Sequence, residues 1–227
     1  MGNTELSADP AALSGVKPAN QARSVDLQLR FARAGREMLE NQRLADIRIP
    51  ALSKRAGSSI GGFYSRFENR EVFFRFLQVS MLEENRALVD RALAPEHLNE
   101  MSEVEVIENV VATMIKVFSG PWRGVMRESY ASIAEGRDIW APMRERGREI
   151  ADTVAAHFKE RYAGRAGGPD TGDILFAMQM LFSALNNDLM NPKLRYSIGE
   201  RAFEQKLAEM LFRFLNLKTD KRRGRRK

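Results

Sequence analysis

The residues best suited to contact a partner lie in one stretch of the chain, SKRAGSSIGGFYSRFENREVFF, at residues 53–74. Gly61 and Gly62 stand side by side there, although each glycine weakens a helix by about 1 kcal/mol relative to alanine. Phe63 and Phe67 are four residues apart, which nevertheless indicates one buried face of a helix. Glycine on the outward face lets another backbone approach closely. The pattern therefore predicts a helix whose exposed side presses against a partner.

The rest of the chain offers no pattern typical of catalysis or metal binding. It contains no cysteine, which excludes disulfides, a thiolate metal site and a cysteine nucleophile. His97 and His157 have no clustered ligands around them, and we expect ordinary surface or capping roles for both. No serine stands in a recognisable arrangement with a histidine and an acid. The segment AGRAGGPDTG lacks the lysine of a phosphate-binding loop. We therefore expect no enzyme, no cofactor and no metal.

The charge is concentrated in two parts of the chain. The net charge is +6, and residues 20–75 hold 11 basic and 6 acidic residues. The last ten residues, KTDKRRGRRK, hold 7 basic residues and 1 acidic residue, whereas residues 76–217 hold 17 and 21. This asymmetry favours an anionic partner at the basic parts, with nucleic acid the first candidate.

Apolar residues recur with helical spacing over most of the chain. They predict helices that begin at Ser24, at Pro50 and after Ser58 or Ser59, and a long helix from near Arg70 to about Leu93. Proline suits the first position of a helix. Further helices are predicted at roughly 103–118, 122–134, 139–162, 173–189 and 200–217. With little sign of strands, the fold class is predicted to be all-α.

Two short helices joined by a turn at Gly57 are typical of a helix-turn-helix. The second helix of such a pair lies in the major groove of DNA, with its first residues against the base edges. Gly61 and Gly62 are then contact surface. Phe63 and Phe67 anchor the opposite face in a small core, for which the predicted partners are Leu52, Ala56, Phe31 and Phe73.

This stretch resembles the DNA-binding signature of the TetR family of bacterial transcriptional regulators. In that signature Ile/Leu-Ala-x-x-Ala-Gly-Val-Ser leads through a variable residue and Gly to aromatic-Tyr-x-x-Phe, followed by x-x-Lys-Glu. The specific match covers about Val25 to Phe76. The matching residues are Leu52, Ala56, Gly57, Ser59, Gly61, Phe63, Tyr64, Phe67 and Glu71.

The chain departs from this signature at three places. Arg70 replaces the usual lysine and keeps its charge, and Ser53 replaces a small alanine. The second helix starts with Arg48-Ile49-Pro50 and lacks the customary Ser or Thr, so Arg48 is expected to take over that contact with phosphate.

The resemblance implies an N-terminal head of three helices that binds DNA and a larger helical domain for ligand and dimer contacts. The predicted boundaries are a mobile arm at 1–23, the head at 24–70, the ligand and dimer domain at 71–217, and a disordered basic tail at 218–227. The predicted DNA-binding residues are Arg48, Ser59, Ile60, Gly61, Gly62, Tyr64, Ser65, Arg66 and Arg70. Serine and arginine can hydrogen-bond to bases and isoleucine can touch a thymine methyl, while Tyr64 and Arg70 suit phosphate.

The helix predicted at 173–189 is apolar over much of its circumference, so neighbours must cover it on both sides. Pairing of this helix and the last helix with their copies would form a four-helix dimer interface. The alternative is burial of the helix inside a monomer. The predicted interface residues are Leu175, Phe182, Leu189, Phe203, Leu207, Met210 and Phe214. A dimer would place two heads about 34–36 Å apart, or slightly more, on a palindromic operator.

The resemblance also implies a small-molecule effector in the helical body. An apolar cavity for it is predicted from Met114, Phe118, Trp122, Met126, Tyr130, Phe176 and Met180, and the alternative for each of these is simple core. An effector in such a cavity would be largely apolar.

The function expected from these features is a sequence-specific DNA-binding regulator, such as a repressor released by a ligand. Two alternatives remain: a protein that binds nucleic acid without sequence preference, and a helical small-molecule carrier with a vestigial head. The basic tail either contacts phosphates or only solubilises the chain. The first twenty residues lack a signal-peptide pattern and no apolar run reaches about 18 residues, so we expect a cytoplasmic protein without a membrane partner.

Overall fold

The computed structural model describes residues 15–17, 22–137, 139–191 and 193–217, and within them it is helical without a strand. Apart from a 3-10 turn at Leu44–Asp46, the elements are α1 (Ala22–Leu39), α2 (Ile49–Arg55), α3 (Ile60–Tyr64), α4 (Arg70–Ala92), α5 (Pro95–Asn99), α6 (Glu103–Ser119), α7 (Arg123–Ala131), α8 (Ala141–Arg161), α9 (Thr171–Met190) and α10 (Arg201–Phe214). The prediction of an all-α fold is confirmed.

The chain divides into two compact units. The first contains the described residues up to 87 together with 120–137 and 139, and the second contains 88–119 together with the described residues from 140 onward. Helices α1 to α3, most of α4 and α7 thus belong to the first unit, and α5, α6 and α8 to α10 to the second.

An aromatic cluster forms the centre of the first unit. Phe63 of α3 packs against Phe31 of α1 and Phe73 of α4, with ring centroids 5.5 and 5.6 Å apart. Phe67 lies 5.0 Å from Phe73, and Leu52 of α2 is fully buried beside this cluster of the head. Burying large aromatic side chains is strongly favourable, so this small helical assembly has a core of its own. The predicted anchoring of Phe63 and Phe67 is confirmed.

Local signals end and begin the helices of the head as expected. Gly57 follows α2 with a φ of +62°, a conformation that glycine adopts without strain. The hydroxyl oxygen of Ser59 accepts a hydrogen bond from the amide of Gly62 at 3.0 Å and so caps α3. Asn69 caps α4 in the same way, through a 2.8 Å bond from the amide of Val72.

The second unit is built around α9 and its neighbours α6, α8 and α10. Ile174, Leu181 and Leu185 of α9 are buried, as are Val106 and Val110 of α6. Their spacing of four or seven residues places them on one face of each helix. This buried face closes the core of the unit.

The structure corrects several sequence expectations. The first helix begins at Ala22 and not at Ser24. The short helix α5 was not predicted, although Pro95 occupies one of its first positions and marks such a start. His157 is buried in α8 instead of lying at the surface, because its position in α8 faces the core.

The predicted arm at 1–23 and the predicted tail at 218–227 fall mostly outside the described residues. Within the arm, residues 15–17 pack against the head, where Val16 is buried and pairs with Phe67. The expectation of a mobile arm therefore does not hold for these three residues, because the apolar side chain of Val16 is buried.

Candidate nucleic-acid interface

Helix α3 turns one face to the core of the head and the other to solvent. Phe63 is fully buried, whereas Ile60 is 46 % exposed and Tyr64 is 48 % exposed. Gly61 is exposed between them. The outward face of this short helix thus presents Ile60 and Tyr64 with a gap between them at Gly61, where another backbone or a base edge can approach closely.

The two glycines of α3 differ in their surroundings. A Cβ at Gly62 would overlap the hydroxyl of Ser58, so that side chain would have to move aside. A Cβ at Gly61 would meet only the hydroxyl of Ser59, at an ordinary 3.7 Å. The described part of the protein therefore leaves room for a side chain at 61 and does not itself require glycine there.

The hydroxyl groups of the predicted interface already have partners in the chain. Ser59 uses its oxygen as the cap of α3 and keeps its proton for a further acceptor. Ser65 donates its proton to the carbonyl of Gly62 at 2.7 Å, so it can offer DNA only an acceptor in this conformation. Arg66 is half-buried beside them.

The two arginines predicted to bind phosphate, Arg48 and Arg70, differ in their surroundings. Arg48 is exposed at the start of α2, where it precedes Ile49 and Pro50. Arg70 donates to the carbonyl of Ala45 at 2.8 Å, and its other nitrogen lies 3.9 Å from Glu71. Arg70 therefore stabilises the loop before α2, and a phosphate would have to share or replace that bond.

A residue that holds the turn of the helix-turn-helix was not predicted from the sequence. Arg30 of α1 donates from Nη1 to the carbonyls of Ala56 and Gly57, at 3.0 and 2.9 Å. Asp26, one turn earlier, accepts from its Nε at 3.0 Å. The last carbonyls of a helix otherwise lack partners, so this contact fixes the end of α2. The signal for Arg30 in the sequence is its i,i+4 spacing from Asp26.

The residues predicted to form a ligand cavity are distributed over both units. Trp122, Met126 and Tyr130 belong to the first unit, and Met114, Phe118, Phe176 and Met180 to the second. Met114, Phe118, Trp122 and Met126 are buried, and Trp122 donates from Nε1 to Glu84 at 2.8 Å. Phe176 does not fit the prediction, because it is 48 % exposed and packs on Phe214.

The described part of the second unit contains a groove of about 760 Å³ between α6 and α10. Val104, Ile107 and Glu108 line it on α6, and Glu204 and Phe212 on α10. None of the seven predicted cavity residues lies in this groove. The effector cavity thus stays a prediction.

The predicted dimer residues separate into two groups. Leu175, Met210 and Phe214 are exposed, and Phe182 is half-buried. Leu189, Phe203 and Leu207 are instead buried within the single chain. These three were assigned to the wrong face, because a helix that is apolar around its circumference does not reveal which side faces its own core.

Neither a metal-binding cluster nor a membrane-spanning helix occurs among the described residues. No group of three or more histidine, aspartate or glutamate side chains is placed to hold a metal ion among them. None of their helices combines the length and the apolar character that crossing a membrane requires.

Over most of its length the chain resembles solved structures in its fold. A protein described as a TetR-family transcriptional regulator from Mesorhizobium loti MAFF303099 superposes with a TM-score of 0.64 at 16 % identity, over 86 % of this chain and 98 % of that one. NalD, the secondary repressor of the MexAB-OprM multidrug efflux pump in Pseudomonas aeruginosa, gives 0.52 at 15 % identity, over 87 % and 100 %. The superantigen PfiT gives 0.62 at 19 % identity, over 86 % and 97 %.

No protein-family model matches the chain, and no curated protein matches it in sequence. At such identities a structural likeness defines a fold, and one fold can carry different functions. Helices α1 to α4 nevertheless agree with the signature between Val25 and Phe76. The chain has the all-α fold of the TetR-family transcriptional regulators.

Proposed function

We propose that this protein is a dimeric, sequence-specific DNA-binding transcriptional regulator of the TetR type that acts in the cytoplasm. The observation that carries the proposal is Gly61, exposed at the start of a helix whose other face is anchored by Phe63. A glycine there weakens the helix and serves no contact within the described protein. A DNA backbone or base edge that approaches closely accounts for a glycine at this position.

Dimerisation is supported by an exposed apolar surface on the second unit. Leu175 and Phe176 of α9 and Met210 and Phe214 of α10 are all exposed. The rings of Phe176 and Phe214 are 5.6 Å apart, so the surface is continuous across the two helices. A contiguous apolar surface of this kind marks a protein contact, and a two-fold copy would bring two heads to one palindrome.

A repressor released by a small, largely apolar ligand is the finer form of this proposal. It is supported within the second unit by Met114 and Phe118, which are buried in α6, since methionine and aromatic residues line adaptable apolar sites. NalD, which shares the fold, is a repressor. A compound that binds only the DNA-free form must raise the thermal midpoint of the free protein and weaken its binding to DNA by the same coupling.

The decisive experiment is selection of bound duplexes from a randomised DNA library, with purified protein at near-physiological salt. We expect an enriched palindrome. Gly61→Ala should then lower the affinity for the enriched duplex at least fivefold without lowering the thermal midpoint. The matched control is Gly147→Ala in α8, where a Cβ would meet Phe182 at an ordinary 3.6 Å, and its DNA affinity should equal that of the wild type.

The two alternatives predict different results. Recovery of DNA without a common sequence, together with steep salt dependence, would establish charge-driven binding without readout. Absence of DNA binding by a folded protein would leave the helical carrier. Either result overturns the proposal.

A further inference from the structure

Residues 15–17 form a short extended segment, here called the N-terminal strap, that pairs with the chain just after α3. Val16 and Phe67 form an antiparallel bridge. The amide of Lys17 donates to the carbonyl of Arg66 at 2.9 Å, and the amide of Glu68 donates to the carbonyl of Gly15 at 3.2 Å. These two bonds are the pattern of a paired β-bridge, although the surrounding fold is helical.

The strap is packed as well as hydrogen-bonded. Val16 is only 6 % exposed, and the Phe67 with which it pairs is fully buried. Gly15 has a φ of +87°, and a Cβ there would lie 2.9 Å from Cγ2 of Val72 and 3.0 Å from Oε2 of Glu68. Glycine alone fits this conformation and this space. The strap therefore occupies a shaped site on the head.

The strap also joins α1 to the end of α3. Lys17 donates from Nζ to the carbonyl of Tyr64 at 3.1 Å. Gln28, which is buried in α1, donates from Nε2 to the carbonyl of Lys17 at 3.2 Å. The last carbonyls of a helix lack partners within it, and the strap supplies partners to the carbonyl of Tyr64, the last residue of α3, and to that of Arg66 two residues later.

Helix α3 needs such support because it has only five residues. A helix of this length has no stability of its own in water, so its orientation depends on contacts at both ends. Ser59 holds its first turn, and the strap holds its end. The side chains that the strap keeps in place through their backbone, Tyr64 and Arg66, are two of the residues in the proposed DNA interface.

We infer that the N-terminal strap is a positioning element for DNA readout. It fixes the end of α3 so that the interface residues keep one orientation, and its loss weakens binding to the operator more than binding to unrelated DNA. The inference rests on the proposed function, and it assigns the role of positioning residue to Val16, which lies outside the helix-turn-helix.

The test uses neutral substitutions, so that no charge near DNA changes. Val16→Asn is the main variant, and Val16→Ala is a milder one that keeps the head folded if the first does not. Val25→Asn is the matched control, because Val25 lies on α1 and is already 43 % exposed. Each full-length protein is measured by amide hydrogen exchange without DNA, and by affinity for the enriched palindromic duplex and for a scrambled duplex of the same length.

For Val16→Asn we expect at least tenfold faster exchange of the Glu68 amide, which donates to Gly15. Affinity for the palindrome should fall at least tenfold and affinity for the scrambled duplex at most about threefold, so discrimination falls. The slope of log affinity against log salt should stay unchanged, since phosphate neutralisation is the same. Val16→Ala should show the same changes to a smaller extent, and Val25→Asn should match the wild type.

Two results would overturn the inference. Unchanged exchange at Glu68 in both Val16 variants would show that Val16 does not hold the strap in place. Faster exchange with wild-type discrimination would show that it is structural only. If the wild-type protein does not discriminate between the two duplexes, the proposed function is wrong. The exchange data are measured without DNA, so they show separately whether the strap is held in place.

Discussion

The carboxylate of Glu128 in α7 is buried and accepts a hydrogen bond from Nε of Arg43, the residue before the 3-10 turn that leads to α2, at 2.7 Å. Nη2 of the same arginine lies 2.8 Å from Glu135. The bond to Glu128 is the main cause that raises the pKa of Arg43 above its usual value. One half-exposed guanidinium thus compensates a buried charge and joins the loop before α2 to α7.

Arg43→Ala should lower the free energy of unfolding by about 1–3 kcal/mol, because the carboxylate of Glu128 would remain buried without its donor. Glu128→Gln should cost less, since a neutral amide is easier to bury than a charge. Urea titration checks both. Arg148→Ala removes an exposed pair with Glu145 and should leave the midpoint unchanged within error. Equal losses for Arg43→Ala and Arg148→Ala would contradict this ranking.

Gly124 of α7 packs directly on the end of α1. A Cβ at this position would overlap the backbone carbonyl of Leu39, and a carbonyl within a packed helix end cannot rotate away as a side chain does. Gly124→Ala should therefore lower the free energy of unfolding by about 2 kcal/mol or more. Gly147→Ala, where space is available, should raise it by up to about 1 kcal/mol. A Gly124→Ala protein as stable as the wild type would show that α7 is free to move off α1.

The exposed apolar surface on α9 and α10 can be tested by placing charge on it. The double variant Phe176→Asp with Phe214→Asp should sediment as a monomer, because two carboxylates would be desolvated where the copies meet. Ile133→Asp is the control, since Ile133 is equally exposed but lies outside this surface. Sedimentation velocity gives the answer directly. A double variant that stays dimeric would place the interface elsewhere.

His157 should make the protein less stable in mild acid. Burial, followed by the nearby charge of Arg161, lowers its pKa, while Glu160 opposes the shift. Well above its usual pKa of about 6.5 the residue is neutral in both states, so it adds no pH dependence there. As the pH falls below that value the unfolded chain takes up the proton more readily, and stability is lost.

The thermal midpoint should therefore fall more for the wild type than for His157→Phe between about pH 7.5 and 5.5. His97→Gln, which changes the exposed histidine of α5, should follow the wild type. If His157→Phe lost as much stability as the wild type over this interval, carboxylates would be the cause of the pH dependence.

The basic tail at 218–227 should act on DNA without regard to sequence. Its deletion removes 7 basic residues and 1 acidic residue, so affinity should fall for palindromic and scrambled duplexes alike. The slope of log affinity against log salt should become shallower, because fewer phosphates are neutralised. Affinity measured at several salt concentrations decides this, and an unchanged slope would assign the tail to solubility alone.

The helices themselves followed from local chemistry. Pro50, Gly57, Ser59 and Asn69 have side chains or backbone preferences that favour helix ends within a few residues of themselves. The start of α3 and the start of α4 could therefore be predicted, as could the aromatic anchors Phe63 and Phe67. The short helix α5 was missed because five residues carry too little periodicity to be recognised.

The face that a helix turns inward was predicted less well. Leu189, Phe203 and Leu207 were expected at an interface and are core, whereas Phe176 was expected in a cavity and is exposed. Spacing along one helix shows that apolar residues share a face, but it does not show which neighbour covers that face. The contacts of Arg30 with the end of α2 and of Arg43 with Glu128 join residues 26 to 85 positions apart, and no local pattern connects them.

The sequence by itself thus determined the all-α class, the ends of the main helices and the helix-turn-helix with its anchored and exposed faces, because these depend on interactions within a few residues. Only the tertiary structure decided the place of the N-terminal strap, the buried pair of Arg43 and Glu128, and the division of apolar residues between core and surface. These features depend on which distant segments meet, and that is settled by the packing of the whole chain.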